Sequence, residues 1–243
     1  MKKIVIILTV LALIASSCRQ KTNKQAENEK QPISESVIND TTTQFPVLLE
    51  YAADSIHIGR RGKNKVELSF YENADSAYVV IHFYSKSNEN QWILKQEFLF
   101  ERAIVPDKCN MQIKDFNNDG LNDMTFVSMT AARGANNVRK LFIYDKHADT
   151  LICMKNSEDY CNMLYNRHLN CITAFLFYGC NSTEFLHIQG DSLKRFASVE
   201  LCGDGTLTVS EYDKFDNQTI IKEETNCKFE QYTRFTNYKP LKQ

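Results

Sequence analysis

The chain has 243 residues, 43% hydrophobic and 24% charged, enough to bury a sizeable core in one large all-β domain or two small ones. Its formal net charge of −1 becomes −3 once Lys2 and Lys3 leave with an N-terminal leader. With no basic stripe to offset that, a nucleic-acid binder driven by phosphate neutralisation is excluded.

The leader is the first element. Lys2 and Lys3 precede an apolar run from Ile4 to Ile14 broken by Thr9, and Ala15-Ser16-Ser17-Cys18 follows. A basic start, a short apolar run and small residues make an export signal, and the run is too short to span a bilayer as a stable helix. Small residues followed by Cys18 resemble a bacterial lipobox, cut before a lipid-modified cysteine, which implies a signal peptide over 1–17 and a palmitate-type anchor on Cys18. Ala15 stands where that pattern more often has leucine. An ordinary cleavage site beside an incidental cysteine is the alternative. Arg19, where an aspartate would signal inner-membrane retention, points to the outer membrane. From Arg19 to about Thr43 the residues are polar, mixed in charge and poor in large apolar side chains, so 18–44 reads as the lipidated cysteine and a disordered tether.

The folded part runs from Phe45 to the C-terminus. Short β-rich runs at Val66–Phe70, Ala77–Tyr84 and Trp92–Phe100 are separated by Asn, Asp, Ser or Gly clusters. Further runs follow at Cys109–Lys114, Met124–Met129, Arg139–Tyr144, Ile172–Tyr178, Glu184–Ile188, Phe196–Leu201, Thr206–Tyr212 and Thr219–Lys222. Hairpin signals sit at Asp145–Asp149, Gln189-Gly190-Asp191 and Gly203-Asp204-Gly205. Helical periodicity is scarce, with one helical turn expected between Ser157 and His168. The pattern predicts an all-β, mainly antiparallel domain over 45–243, compact and either propeller-like or sandwich-like. Seven cysteines besides Cys18 cannot all pair within one chain. Up to three disulfides are the default for an exported protein, and buried free thiols are the competing reading.

One motif carries chemistry. In Asp115-Phe116-Asn117-Asn118-Asp119-Gly120-Leu121-Asn122-Asp123, side-chain oxygens recur at alternate positions around one glycine. A hard cation such as calcium needs six to eight converging oxygens, and alternate residues of a tight loop can supply them. Gly120 permits the positive φ that the reversal needs. Phe126 occupies the twelfth place, where an EF-hand requires glutamate, so this is not an EF-hand. A polar turn, built from the same residues for local hydrogen-bonding reasons, is the alternative.

This loop resembles the FG-GAP or integrin-type calcium loop, D-x-[DN]-x-[DN]-G-x-x-D, found between strands of β-propeller blades. No second copy with its glycine exists here; Asp213-Lys214-Phe215-Asp216-Asn217 is a faint echo. The stretch from Gln112 through Arg133-Gly134-Ala135-Asn136-Asn137 to Leu141-Phe142-Ile143-Tyr144-Asp145 is similar to a family of exported Gram-negative proteins with one such loop in a compact β fold. Some members of that family inhibit lysozymes or confer immunity to cell-wall-degrading toxins. The resemblance covers the middle third of the chain. It implies Asp115, Asn117, Asp119, Leu121 and Asp123 as ligands of a structural calcium, and a partner loop at Arg133, Gly134, Asn136 and Asn137.

No nucleophilic elbow, metalloprotease helix or clustered histidines mark an enzyme. The expected function is therefore binding: a lipoprotein held to the membrane by its lipid anchor, with a protein partner, a lysozyme-like muramidase on the resemblance. An envelope scaffold or ligand-capture lipoprotein is the second reading, and an enzyme with a site invisible in sequence the third.

Overall fold

The computed structural model describes residues 45–73, 76–102 and 108–239. The leader, Cys18 and the tether lie outside the described residues.

Three antiparallel meanders follow one another. The first sheet holds β1 (Val47–Asp54), β2 (Asn64–Glu72), β3 (Ala77–Lys86) and β4 (Trp92–Arg102). The middle sheet holds β5 (Gln112–Lys114), β6 (Asp123–Ala131), β7 (Asn136–Asp145) and β8 (Thr150–Cys153). The third holds β9 (Leu164–Asn166), β10 (Cys171–Phe177), β11 (Cys180–Gln189), β12 (Ser192–Cys202), β13 (Leu207–Tyr212) and β14 (Gln218–Glu224). The all-β, antiparallel expectation holds, and the layering is sandwich-like.

Period-two alternation sets the first interface. Val66, Leu68 and Phe70 on β2 lie opposite Phe83, Ile81 and Val79 on β3, all fully buried. They pack on Met124, Phe126, Phe142 and Tyr144 of the middle sheet. Each such side chain contributes about 1.5–3 kcal/mol on burial. Phe142 is met edge-on by Phe98 at 5.2 Å and by Phe100 at 5.9 Å between ring centroids.

The run Leu141-Phe142-Ile143-Tyr144 is continuously apolar because both faces of β7 are covered. Phe142 and Tyr144 enter the first core, while Leu141 and Ile143 enter a second, with Ile172, Ala174 and Leu186 of the third sheet. A third cluster occupies the far face of that sheet, where Phe185, Val199, Leu201 and Val209 are covered by Phe229, Phe235 and Tyr238 of the C-terminal segment. Asn181 fastens this segment, donating to the Glu230 carbonyl at 2.7 Å and accepting from Tyr232 N at 2.8 Å.

Two expectations take definite form. The region Ser157–His168 contains a 3-10 turn at Ser157–Asp159 and then the strand β9. Among the described cysteines one disulfide forms, Cys180–Cys202, and Cys153, Cys161, Cys171 and Cys227 carry no disulfide. Cys109, Cys161 and Cys171 are buried, as small apolar side chains are.

Candidate functional site

The acidic loop joins β5 to β6, between the β-rich runs expected at Cys109–Lys114 and Met124–Met129. Asp115 accepts from Asn118 N at 2.6 Å on one oxygen and from Gly120 N at 3.0 Å on the other. Asn117 Oδ1 accepts from Asp119 N at 3.1 Å, and Asp119 Oδ1 accepts from Leu121 N at 2.9 Å. These are nested Asx turns, each side chain capping backbone a few residues ahead. Gly120 has φ +84° with open space where a Cβ would stand, so conformation and not crowding demands glycine there. Leu121 packs its side chain against the first core.

Asp123 differs from its neighbours. It is fully buried, and its two oxygens accept from Phe116 N at 2.7 Å and Tyr144 N at 2.8 Å. It thus ties its own loop to β7. Burial raises its carboxyl to about pH 7, with the charges of Asp115 and Asp119 adding to the rise and the two N–H donors opposing it. Next to it, Asn122 fixes the loop to the β1–β2 connection. The Asn122 carbonyl accepts from Gly59 N at 2.9 Å, and its amide donates to the His57 carbonyl at 3.0 Å.

The donor set suits a hard cation: only oxygens, and carboxylate and amide oxygens that keep a further lone pair after accepting one N–H. The carboxylates of Asp115, Asp119 and Asp123 do not all lie within 4.8 Å of one another. The described group of three potential ligands that does, Cys180, Glu200 and Cys202, contains the disulfide, whose sulfurs are not thiolates.

The second loop joins β6 to β7. Ala132 (φ 49°), Arg133 (φ 54°) and Gly134 (φ 90°) are three successive left-handed residues, and all are exposed. Asn136, by contrast, is buried. Its amide donates to the Phe177 carbonyl at 2.9 Å and its Oδ1 accepts from Phe177 N at 3.0 Å, which docks the loop base on the end of β10. Asn137 N donates to Asn162 Oδ1 at 3.1 Å. The Asn162 amide donates to the carbonyls of Ala135 at 2.9 Å and Phe175 at 3.0 Å. Of the four residues expected in the partner loop, Arg133 and Gly134 stand at the tip, Asn136 is a buried bracket and Asn137 a half-buried one. Asn162 escaped sequence reading because it lies 25 residues downstream of Asn137 in an unremarkable turn.

No protein-family model matches this chain, and no curated protein matches it. A solved structure described as "Structure of a Xanthomonas Type IV Secretion System related protein" is similar over 74% of this chain and 98% of that chain, with 10% identity and a TM-score of 0.45. A likeness of that size carries no conclusion about activity.

Proposed function

We propose that this chain is a non-enzymatic outer-membrane lipoprotein, anchored through Cys18, whose β domain binds and inhibits a lysozyme-like muramidase. The observation that carries the reading is the Arg133 loop. Left-handed backbone is costly for Ala132 and Arg133, though not for Gly134, so two such non-glycine residues in a row persist only where the surroundings impose them, and such strain gathers at functional sites. Here the base is imposed by Asn136, Asn162 and Phe177, while the Arg133 side chain at the tip stays exposed. A guanidinium held forward on a fixed loop suits an acidic cleft: the paired carboxylates of a glycosidase accept its fork of donors, and little loop entropy is lost on docking.

In this reading Asp115, Asn117, Asp119 and Asp123 hold a structural calcium with the Leu121 carbonyl. The ion would supply positive charge beside a buried carboxylate that burial and two acidic neighbours disfavour. Asp123 bridges to Tyr144, so the loop braces the β6–β7 hairpin that presents Arg133.

Inhibition of peptidoglycan hydrolysis by a panel of muramidases tests the proposal. Arg133→Ala is expected to weaken inhibition of the susceptible enzyme at least tenfold with an unchanged melting temperature, and Arg133→Lys to recover only part of it. Full inhibition by Arg133→Ala would remove this loop as the contact, and a wild type that inhibits no muramidase would remove the function.

A further inference from the structure

The third sheet has one face that changes character along its length. Near the middle sheet it contributes Ile172, Ala174 and Leu186 to the second core. Farther along the strands the same face carries Leu176, Ser182, Glu184, Ser198, Glu200, Thr208 and Ser210. The register sets two cross-strand rows: Leu176, Ser182, Glu200 and Thr208 in one, Ala174, Glu184, Ser198 and Ser210 in the other. Among the described residues no layer covers this second half. It is the floor of a cavity of about 450 Å³, which adjoins another of about 810 Å³, with Arg195 and Tyr212 shared by both.

An ordinary solvated sheet face would leave these hydroxyls open. Instead Ser210 is 1% exposed, and Ser182 and Ser198 are 8% exposed. The recess has walls because Tyr178, Arg195 and Tyr212 rise around the floor and are fixed there. Arg195 Nη1 donates to Glu184 at 2.6 Å, Nη2 pairs with Asp216 at 3.2 Å, and the guanidinium lies 3.9 Å over the Tyr212 ring. Arg195 Nε is buried without an acceptor among the described residues. The Tyr178 hydroxyl donates to Glu200, Ser198 Oγ and the Tyr212 hydroxyl share a bond of 3.1 Å, and Gln218 donates to Ser210 at 2.8 Å. One row beyond Ser182 and Glu200, the Cys180–Cys202 disulfide crosses the same two strands and locks the floor.

The chemistry selects among ligands. Two carboxylates face one guanidinium across the floor, so an anion is repelled. The converging group that contains Glu200 is completed by the two sulfurs of the Cys180–Cys202 disulfide, which are not thiolates, so a lone metal is poorly served. The floor is too polar for a hydrocarbon. What remains is a neutral ligand rich in hydroxyls: carboxylates accept from it, the guanidinium and amide donate to it, Ser and Thr hydroxyls do both, and aromatic rings cover its C–H faces. Tyr178 at 55% exposed and Phe215 at 73% supply such rings at the rim.

We propose that this recess is a binding site for a neutral oligosaccharide, with Glu184, Arg195, Glu200 and Gln218 as the polar contacts and Tyr178 as a stacking wall. Two or three sugar rings fit the volume of the two cavities, and the disulfide and the bonded walls preorganise the site.

Titration calorimetry of the full-length protein with maltohexaose, cellohexaose and chitohexaose tests this, with size-matched heparin fragments as the anionic control. At least one neutral hexamer is expected to bind with a dissociation constant of 1 mM or tighter, while heparin does not. Tyr178→Ala and Glu200→Gln should each weaken that binding at least tenfold at an unchanged melting temperature. Tyr178 is a rim residue, so its loss separates binding from folding. Absence of binding to all three neutral hexamers, preference for heparin, or binding that both variants leave intact would overturn the proposal.

Discussion

The two loops on either side of β6 use similar residues for opposite purposes. In the acidic loop every expected side-chain ligand already accepts a backbone N–H, and its far end is sewn to the first sheet by Asn122 and to β7 by Asp123. In the loop over 132–135 the tip side chains are exposed, and the bonds gather at the base through Asn136 and Asn162. The difference lies in where the polar groups find partners. A loop whose side chains cap their own backbone becomes a brace; a loop whose base alone is bonded presents its tip.

Removing the brace has the largest expected effect. Asp123→Ala strands two buried N–H groups, on Phe116 and Tyr144, and should cost about 3 kcal/mol or more in urea unfolding. Asp123→Asn keeps an acceptor and should cost less. A loss near zero for Asp123→Ala would mean that water reaches both donors.

Metal removal comes next. Calcium at a hundred times its dissociation constant should add about 2.7 kcal/mol, lost on chelation and absent in Asp119→Ala, as read by melting temperature. The metal-free protein should also show a pH signature. Asp123 binds its proton more tightly folded than unfolded, so its contribution is fully present below its ordinary pKa of 3.8 and is lost as pH rises through about 7. Calcium should flatten that decline. A wild type whose melting ignores both chelator and calcium would return residues 115–123 to a polar turn.

The presenting loop should respond in the reverse manner. Asn162→Ala removes the bracket and is expected to cost about 1–3 kcal/mol, with faster amide exchange at 132–137. Arg133→Ala, smallest in stability, should stay within about 0.5 kcal/mol while its binding falls. A large stability loss at Arg133 would break the contrast between brace and presenter.

A further pH effect lies outside both loops. Burial would raise Asp149, but hydrogen bonds from Arg60, Ser85, Tyr144 and Asn64 outweigh it and hold the carboxyl well below the ordinary carboxylate range. Its contribution is present above the unfolded pKa and is lost as pH falls below it, so Asp149→Asn should reduce the stability difference between neutral and acid solution.

Much of this was written locally. Alternation in β2 and β3, the turns at Gly190 and Gly203–Gly205, and the Asx spacing of 115–123 are readable because they depend on neighbours within a few residues. The strand β1 was not, since its residues are largely exposed and alternate weakly, nor was β8, four residues long. The helical turn expected between Ser157 and His168 is the 3-10 turn Ser157–Asp159, and the chain after it places Met163 in the second core.

Sequence alone determined most of the strands, the turns and the composition of the acidic loop, because period-two burial and left-handed turn residues are properties of short segments. The tertiary structure decided which faces are covered, and hence that β7 is apolar on both sides while one half of the third sheet stays polar and open. It also decided that Asp123 serves Tyr144, that Asn136 points inward, and that Cys180 pairs with Cys202. Those outcomes depend on partners 21 to 41 residues away along the chain, and only packing brings such partners together.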